Sequence, residues 1–323
     1  MNLIRNLDQL PAAWRGGAVA IGNYDGVHLG HAQIAERLAA AAQQVGGPAV
    51  LFTFDPPPAA LLRPDHAPAP LTWLERKVEL LLALGIDGVI AYPTDETLLR
   101  HSAQFFFEHI ILHRLAARAM VEGPNFFFGH NREGNVTLLQ QFCQRSGLSL
   151  EIVQPVEVDG QVVSSSRIRA LVAAGNVELA ARMLDRPHRT GGDVIRGAGR
   201  GAQLGYPTAN LGRIETLLPG EGIYAGVAYV DSERWPAAMS IGPNPTFDDA
   251  ALKVEVYLDG YQGNLYDRRI EVDFLARLRD IVRYHSVAEL VAQLERDVQA
   301  TRELVKTVPS PGTARRVVGR GLG

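Results

Sequence analysis

Short apolar runs and helical patterns alternate through the first half of the chain. Ala18–Gly22, Ala49–Phe54, Gly88–Tyr92, Ala119–Glu122 and Leu150–Val153 have the length and apolar content of buried strands. Between them the periodicity turns helical. His31–Val45 predicts an Ala-rich helix closed by Gly46. Thr72 and Glu75 have the spacing of a capping box, opening a helix that ends at Gly85. Ala103–Arg118 and Val136–Arg145 supply two more helices, and a proline-rich loop runs from Pro56-Pro57-Pro58 to Pro70. Strands alternating with helices predict an α/β domain with a parallel sheet covered on both faces.

The pattern changes near Arg186. From Thr190 to Phe274 the segments are short and broken by Gly, Pro, Asn and Asp. Val227–Val230, Ala238–Ile241, Lys253–Leu258 and Ile270–Phe274 read as strands without intervening helices, as in a small β-barrel or sandwich. Ser286 and Glu289 form a second capping-box pair. Val287, Leu290, Val291, Leu294 and Val298 then recur at helical spacing, which predicts one helix packed on the barrel. The expected domains are residues 1–186 and 187–307, with a disordered tail at 308–323.

Composition narrows the class. A chain of 323 residues with 46% hydrophobic and 21% charged residues is neither disordered nor a membrane protein in character. A formal net charge of -3 gives no reason to expect nucleic acid as a partner. No apolar run approaches the ~18 residues of a membrane span, and the N-terminus lacks a signal-peptide pattern. Cys143, the single cysteine, has no metal-binding context and reads as a buried small hydrophobe, with the cytoplasm as the expected location. Oligomeric state is left open.

The chemistry begins at Gly22-Asn23-Tyr24-Asp25-Gly26, directly after a strand, and at His28-Leu29-Gly30-His31, which opens the next helix. Glycines let backbone approach a ligand closely. A helix N-terminus offers free N–H groups and a positive dipole end, which suit phosphate. His28 and His31 are three apart and fall on one helical face if that turn is wound. The pair resembles the HxGH signature of the nucleotidyltransferase superfamily, in which the histidines bind ATP phosphates and stabilise the pentavalent transition state. Ser164-Ser165-Ser166-Arg167-Ile168-Arg169 resembles that superfamily's second signature, SSTxIR, with Ser166 at the usual Thr. Hydroxyls at a helix start, with Arg167 and Arg169 one turn in, suit phosphate oxygens.

A second cluster lies downstream. Gly192-x-Val194-x-x-Gly197 and then Gly201-Ala202-Gln203-Leu204-Gly205-Tyr206-Pro207-Thr208-Ala209-Asn210 read as a Gly-rich loop ending in polar residues. In an extended segment Thr208 and Asn210 share one side, as Mg²⁺ ligands require. Lys253-Val254-Glu255-Val256-Tyr257-Leu258 alternates, which puts Glu255 on the polar face of a barrel strand. That face is either a cavity floor or plain solvated surface.

These motifs together resemble the bifunctional riboflavin kinase/FMN adenylyltransferases of bacteria over nearly the whole chain. LGYPTAN with a downstream VEVYL, Gly123-Pro124-Asn125-Phe126-Phe127-Phe128-Gly129, Pro219–Gly226 and Ile241–Phe247 add to the match. The resemblance implies a Rossmann-like nucleotidyltransferase domain followed by a six-stranded riboflavin-kinase barrel closed by a helix. It implies riboflavin, FMN and ATP as substrates, FMN and FAD as products, and Mg²⁺ as cofactor. By the same resemblance Glu255 is the kinase base, with Thr208 and Asn210 as Mg²⁺ ligands. His28 and His31 are catalytic. Gly22, Asn23, Asp25, Gly26, Gly30, Ser164, Ser165, Ser166, Arg167, Arg169, Gly197, Gly201 and Gly205 serve ATP and phosphate. Asn125, Pro56, Pro58 and Arg279 serve the flavin. Three departures stand out: Ala202 where the family has Arg, Asn125 where it has Asp, and Tyr24 where Phe is common. They leave as rivals a chain with one surviving activity and a non-catalytic flavin or nucleotide sensor.

Overall fold

The computed structural model describes residues 2–197, 199–244, 246 and 249–307. The expected tail at 308–323, and Pro245 and Phe247 of the Ile241–Phe247 motif, lie outside the described residues. The chain divides into two compact units. The first comprises residues 1–170 and 182–186, and the second residues 171–181 and everything from 187.

In the first unit six strands are parallel throughout. They are β1 (Leu3–Ile4), β2 (Ala18–Ile21), β3 (Ala49–Phe54), β4 (Gly88–Tyr92), β5 (Ala119–Glu122) and β6 (Ser149–Ile152), in the order β1-β4-β3-β2-β5-β6. The strands are apolar on both sides because both faces are covered. Val19, Ile21, Val50, Phe52 and Met120 point to one layer, formed by Phe106, Phe107, Ile110, Ile111 and, from helix α3 (Val136–Ser146), Leu139 and Cys143. Ala18, Ala20, Leu51, Val89 and Val121 point to the other. There they meet Ala35, Leu38 and Ala42 of α1 (Leu29–Val45) and Val78 and Leu81 of α2 (Leu74–Ala83). Cys143 sits in that core as a buried thiol, pushed up to about 11 by burial.

Three expectations need correction here. The edge strand β1 was not anticipated, since two residues are too short to carry a period. The helix expected over Ala103–Arg118 stops at Arg114, mostly as a π-helix from Phe106, because Ala116 turns to φ 49°. Thr72 and Glu75 form no capping box. The helix opens after Trp73 without a side-chain cap, and the Thr72 amide instead donates to Asp25.

The second unit is a closed barrel. Its strands are β7 (His188–Ile195), β8 (Thr208–Gly212), β9 (Gly222–Val230), β10 (Glu233–Asn244), β11 (Asp249–Leu258) and β12 (Arg269–Arg279), in the order β7-β8-β11-β10-β9-β12. The expected Gly-rich loop therefore starts later than Gly192, which lies within β7. Val254, Val256 and Leu258 are buried inside with Tyr224, Met239 and Phe274, as the alternation predicts. Helix α5 (Val177–Leu184) precedes β7, and helix α6 (Val287–Thr307) lies over β9, β10 and β12. It opens close to the expected capping box. Ser286 Oγ accepts the Glu289 amide at 3.2 Å, while the Glu289 carboxylate reaches the His285 amide at 3.1 Å, one residue upstream of the box position.

Candidate active sites

Strand order decides where the first site lies. β2 and β5 are neighbours, but their connections leave in opposite directions, so the sheet reverses its winding between them. Ligands of open parallel sheets bind at the carboxyl ends of strands at such a point. The segment leaving β2 is Gly22–His28, and the segment leaving β5 carries Asn125, which is exposed. The segment leaving the next strand, β3, carries Pro56 and Pro58. The Ile21 amide donates to Glu122 Oε1 at 2.8 Å and ties β2 to β5 at this end.

The loop from Asn23 to Val27 is held by its carbonyls. Asn23 O accepts from Lys77 Nζ at 2.9 Å and from Thr53 Oγ1 at 3.2 Å. Tyr24 O accepts the Val27 amide, and Asp25 O accepts Ser165 Oγ at 2.9 Å. Gly26 O and Val27 O both accept from Arg186, the latter at 2.9 Å. With the carbonyls drawn into the protein, the loop can present its N–H edge to an anion. Tyr24 and Val27 take φ of 47° and 39°. A β-branched residue there is strained by ~1–3 kcal/mol, so the surrounding bonds must over-determine it.

His28 is the N-cap of α1, and its Nδ1 accepts the His31 amide at 3.4 Å, which leaves the ring proton on Nε2. The His28 and His31 rings stack 3.6 Å apart at 16°. Gly30 leaves room beside them, since a Cβ there would lie 3.2 Å from the His28 ring and press on it. Burial foremost, then the Arg186 charge, lowers the His28 imidazole to about 4. His31 is also driven well down, by burial and then by His28, Lys77 and Arg186. Both rings are thus neutral N–H donors. Tyr24 Oη and His31 Nδ1 are buried without a hydrogen-bond partner among the described residues. Burial raises the Glu122 carboxyl well above the usual range, against the pull of the Ile21 amide.

The Ser164–Arg169 segment meets this loop. Ser164 Oγ accepts the Arg167 amide at 3.3 Å at the start of α4 (Ser165–Ala173), Ser165 reaches Asp25 O, and Ser166 is exposed. Arg167 is exposed and donates to Gln161 at 2.9 Å. Two assignments change. Asp25 was expected to serve phosphate, but its buried carboxylate accepts the Leu71 amide at 3.0 Å, the Thr72 amide at 3.2 Å and Arg169 Nη2 at 2.5 Å. A carboxylate so occupied, and of the same charge sign as phosphate, joins the proline-rich segment to the loop instead. Arg169 is correspondingly bound to Asp25 and to Ala69 O at 3.0 Å, with its side chain 21% exposed.

The second site is a cavity of ≈ 150 Å³ on the barrel, lined among others by Arg200, Gly201, Tyr206, Thr208, Lys253 and Glu255. Glu255 is therefore on a cavity wall, not on open surface. Asn210 and Ser240 flank it directly on the adjacent strands, and Thr208 is paired with Tyr257. Opposed residues share a face, so Asn210, Glu255 and Ser240 form one row, and Thr208 lies on the same face one pleat along. Gly197 and Gly201 close over that row. A Cβ on Gly197 would lie 2.2 Å from Asn210 Nδ2, and one on Gly201 2.4 Å from Tyr206 O and 3.3 Å from Thr208 Oγ1. Gly201→Ala should consequently lower turnover at this cavity at least ~10-fold through misplaced side chains, read against an unchanged activity of the first unit.

Two further expectations shift. Gly205 sits at φ 85° just past the short helix Arg200–Gln203, with its amide on Ala202 O, and is a turn residue outside the cavity lining. Arg279 lines the cavity, but its guanidinium is held by Asp297, Nη2 to Oδ2 at 2.6 Å, which makes it a wall and not an open flavin contact. Ala202 is exposed, whereas Arg200 lines the cavity, so the cation missing at 202 is present two residues upstream. Lys77, Arg186 and Glu122 were missed entirely. Lys77 looks like the charged face of an amphipathic helix, yet it is only 5% exposed.

Comparison with known proteins covers both units. A family model described as FAD synthetase matches residues 10–167, and one described as riboflavin kinase matches residues 184–305. The bifunctional riboflavin kinase/FMN adenylyltransferase of Pseudomonas fluorescens is 36% identical over 305 residues, covering 94% of this chain and 98% of the relative. Its Escherichia coli K12 counterpart is 33% identical, covering 94% and 97%. A solved structure titled macrolide-efflux protein, from Streptococcus pneumoniae, superposes with a TM-score of 0.83 at 29% identity, covering 93% of this chain and 98% of that one. Among the described residues no helix of the present chain is long and apolar enough to cross a membrane. By the extent and identity of these matches, the chain belongs to the bifunctional riboflavin kinase/FMN adenylyltransferase family.

Proposed function

We propose that the barrel transfers the γ-phosphoryl group of ATP to the 5′-hydroxyl of riboflavin, giving FMN and ADP. The parallel-sheet unit then joins FMN to the adenylyl group of a second ATP, giving FAD and pyrophosphate. The observation that carries the reading is Glu255 on the wall of the barrel cavity, with Asn210 directly opposite it and Thr208 two positions along on the same face. An alcohol is a poor nucleophile at neutral pH, so its proton must leave as the oxygen–phosphorus bond forms. Glu255 takes that proton, and Arg200, which also lines the cavity, balances the phosphate charge. Thr208 and Asn210, two apart on β8, would offer a hydroxyl and an amide oxygen to Mg²⁺ beside Glu255. When bound, that ion neutralises charge on the transferred group.

The adenylyl transfer needs no base, because the FMN phosphate is already an anion. Its demands are alignment and charge stabilisation. Neutral His28 and His31 donate to the phosphates without a proton changing hands. The N-terminus of α1, Asn23, the hydroxyls of Ser164–Ser166 and Arg167 complete the phosphate site, while Arg169 and Asp25 tie the proline-rich segment to the loop. Asn125, Pro56 and Pro58 border the FMN side. The single reduced cysteine fits a cytoplasmic setting.

One assay tests both halves and the rival with a single surviving activity. Purified protein given riboflavin, Mg²⁺ and ATP is followed by chromatography of the flavins. FMN should appear first and FAD after it. FMN accumulating with no FAD refutes the first-unit reading. FAD formed from added FMN, with riboflavin untouched, refutes the second.

A further inference from the structure

Arg186 is a cation on which two consecutive carbonyls of the phosphate loop converge. Its Nη1 donates to Val27 O at 2.9 Å and to Leu184 O at 2.8 Å, and its Nη2 to Gly26 O. Those carbonyls belong to the two residues before His28, both at positive φ, 82° for Gly26 and 39° for Val27. Valine does not hold that conformation unaided. A guanidinium supplies several donors in a fixed planar fork, so one side chain can pin both peptide planes where an ammonium cannot.

We infer that Arg186 is a positioning residue for adenylyl transfer, clamping the Gly26–Val27 turn so that the His28 ring stands against His31 with its Nε2 proton directed outward. The inference rests on the adenylyltransferase reading of the first unit. The turn decides where α1 begins, and His28 is the residue at which it begins, with φ -81° and ψ 175°. Releasing the two carbonyls lets Val27 relax to negative φ. That rotates the peptide before His28 and breaks the bond from the His31 amide to His28 Nδ1. The clamp also acts through its charge. The charged and titratable groups bearing on His28 are Arg186, Arg169 and the stacked His31, and Arg186 is the strongest of the charges in keeping the ring neutral. Geometry and charge thus serve one end: a neutral donor in a fixed place.

The test compares Arg186→Met and Arg186→Lys in the full chain. FMN adenylylation is measured across pH, with riboflavin phosphorylation in the same molecule as the control. Arg186→Met should lower the adenylylation kcat ~10²-fold, as expected for a misplaced catalytic group, with a smaller change in KM for ATP. Riboflavin phosphorylation should stay at the wild-type rate. The acid limb of the adenylylation profile should move to higher pH in Arg186→Met, because His28 regains basicity. Arg186→Lys should restore the acid limb but not kcat, since it keeps the charge and loses the fork. A wild-type kcat in Arg186→Met overturns the inference. So does a rise confined to KM, which would mark direct contact with substrate, and so does an equal loss of both activities in Arg186→Met and Arg186→Lys alike, which would make the side chain a requirement of the whole fold and not of the turn. A wild-type chain that never makes FAD overturns the underlying reading itself.

Discussion

Glu255→Gln should lower riboflavin phosphorylation ~10²-fold or more, the contribution of a positioned base, and leave FMN adenylylation at its wild-type rate. Glutamine keeps the shape of the side chain and the β11 alternation. The barrel therefore stays closed, and only the proton acceptor is lost. Lys253 and Tyr257 lie on the same face of the strand, and neither is placed to stand in: one is cationic, and burial raises the other's hydroxyl. Separate assays from riboflavin and from FMN make the distinction. Equal loss in both would mean that the two units do not carry separate chemistries. An unchanged phosphorylation rate would move the base elsewhere on the cavity wall.

His28→Ala is the mirror experiment. It removes the α1 cap and a preorganised N–H donor together, and loss of such a donor costs ~10²–10³ in kcat. FMN adenylylation should fall by that amount while riboflavin phosphorylation persists. A second readout follows from burial. The folded protein holds His28 at about 4, below the 6.5 of a free imidazole. Between those values the unfolded chain binds the proton and the folded one does not. Stability is then complete above about 6.5 and declines as pH falls toward 4. Removing the imidazole should flatten that acid decline in denaturation midpoints. A slope identical to wild type would show that the ring is not held neutral.

Much of the fold was legible because each unit has its own period. Four of the six sheet strands are nearly continuous apolar runs, and Val254, Val256 and Leu258 mark a barrel strand by simple alternation. The alternation could place Glu255 on the polar face, but whether that face was floor or open surface depended on Arg200, Gly201 and α6 folding across it. The resemblance chose between those readings, and the cavity gives the physical reason. What escaped was mostly interior charge. Lys77 is buried and Arg186 half-buried at positions where a cation normally faces water, and both donate to inward carbonyls of the 23–27 loop. Asp25 was misread for the opposite reason. Beside glycines and histidines it suggests a ligand, but its oxygens are filled by the Leu71 and Thr72 amides and by Arg169.

The interleaving of the two units bears on how the activities can be dissected into separate polypeptides. Residues 171–181 belong with the barrel, and residues 182–186 return to the sheet unit. Val177 is fully buried in the barrel core, Glu178 accepts the Arg277 amide at 3.0 Å, and the Val172 carbonyl accepts the Gly220 amide at 3.0 Å. A kinase fragment cut at Pro187, the boundary that composition suggests, begins without these partners. The sheet unit freed by the same cut carries a helix whose apolar side has lost its seat. The chain passes between the units at 170/171, 181/182 and 186/187, so no single cut yields both units whole.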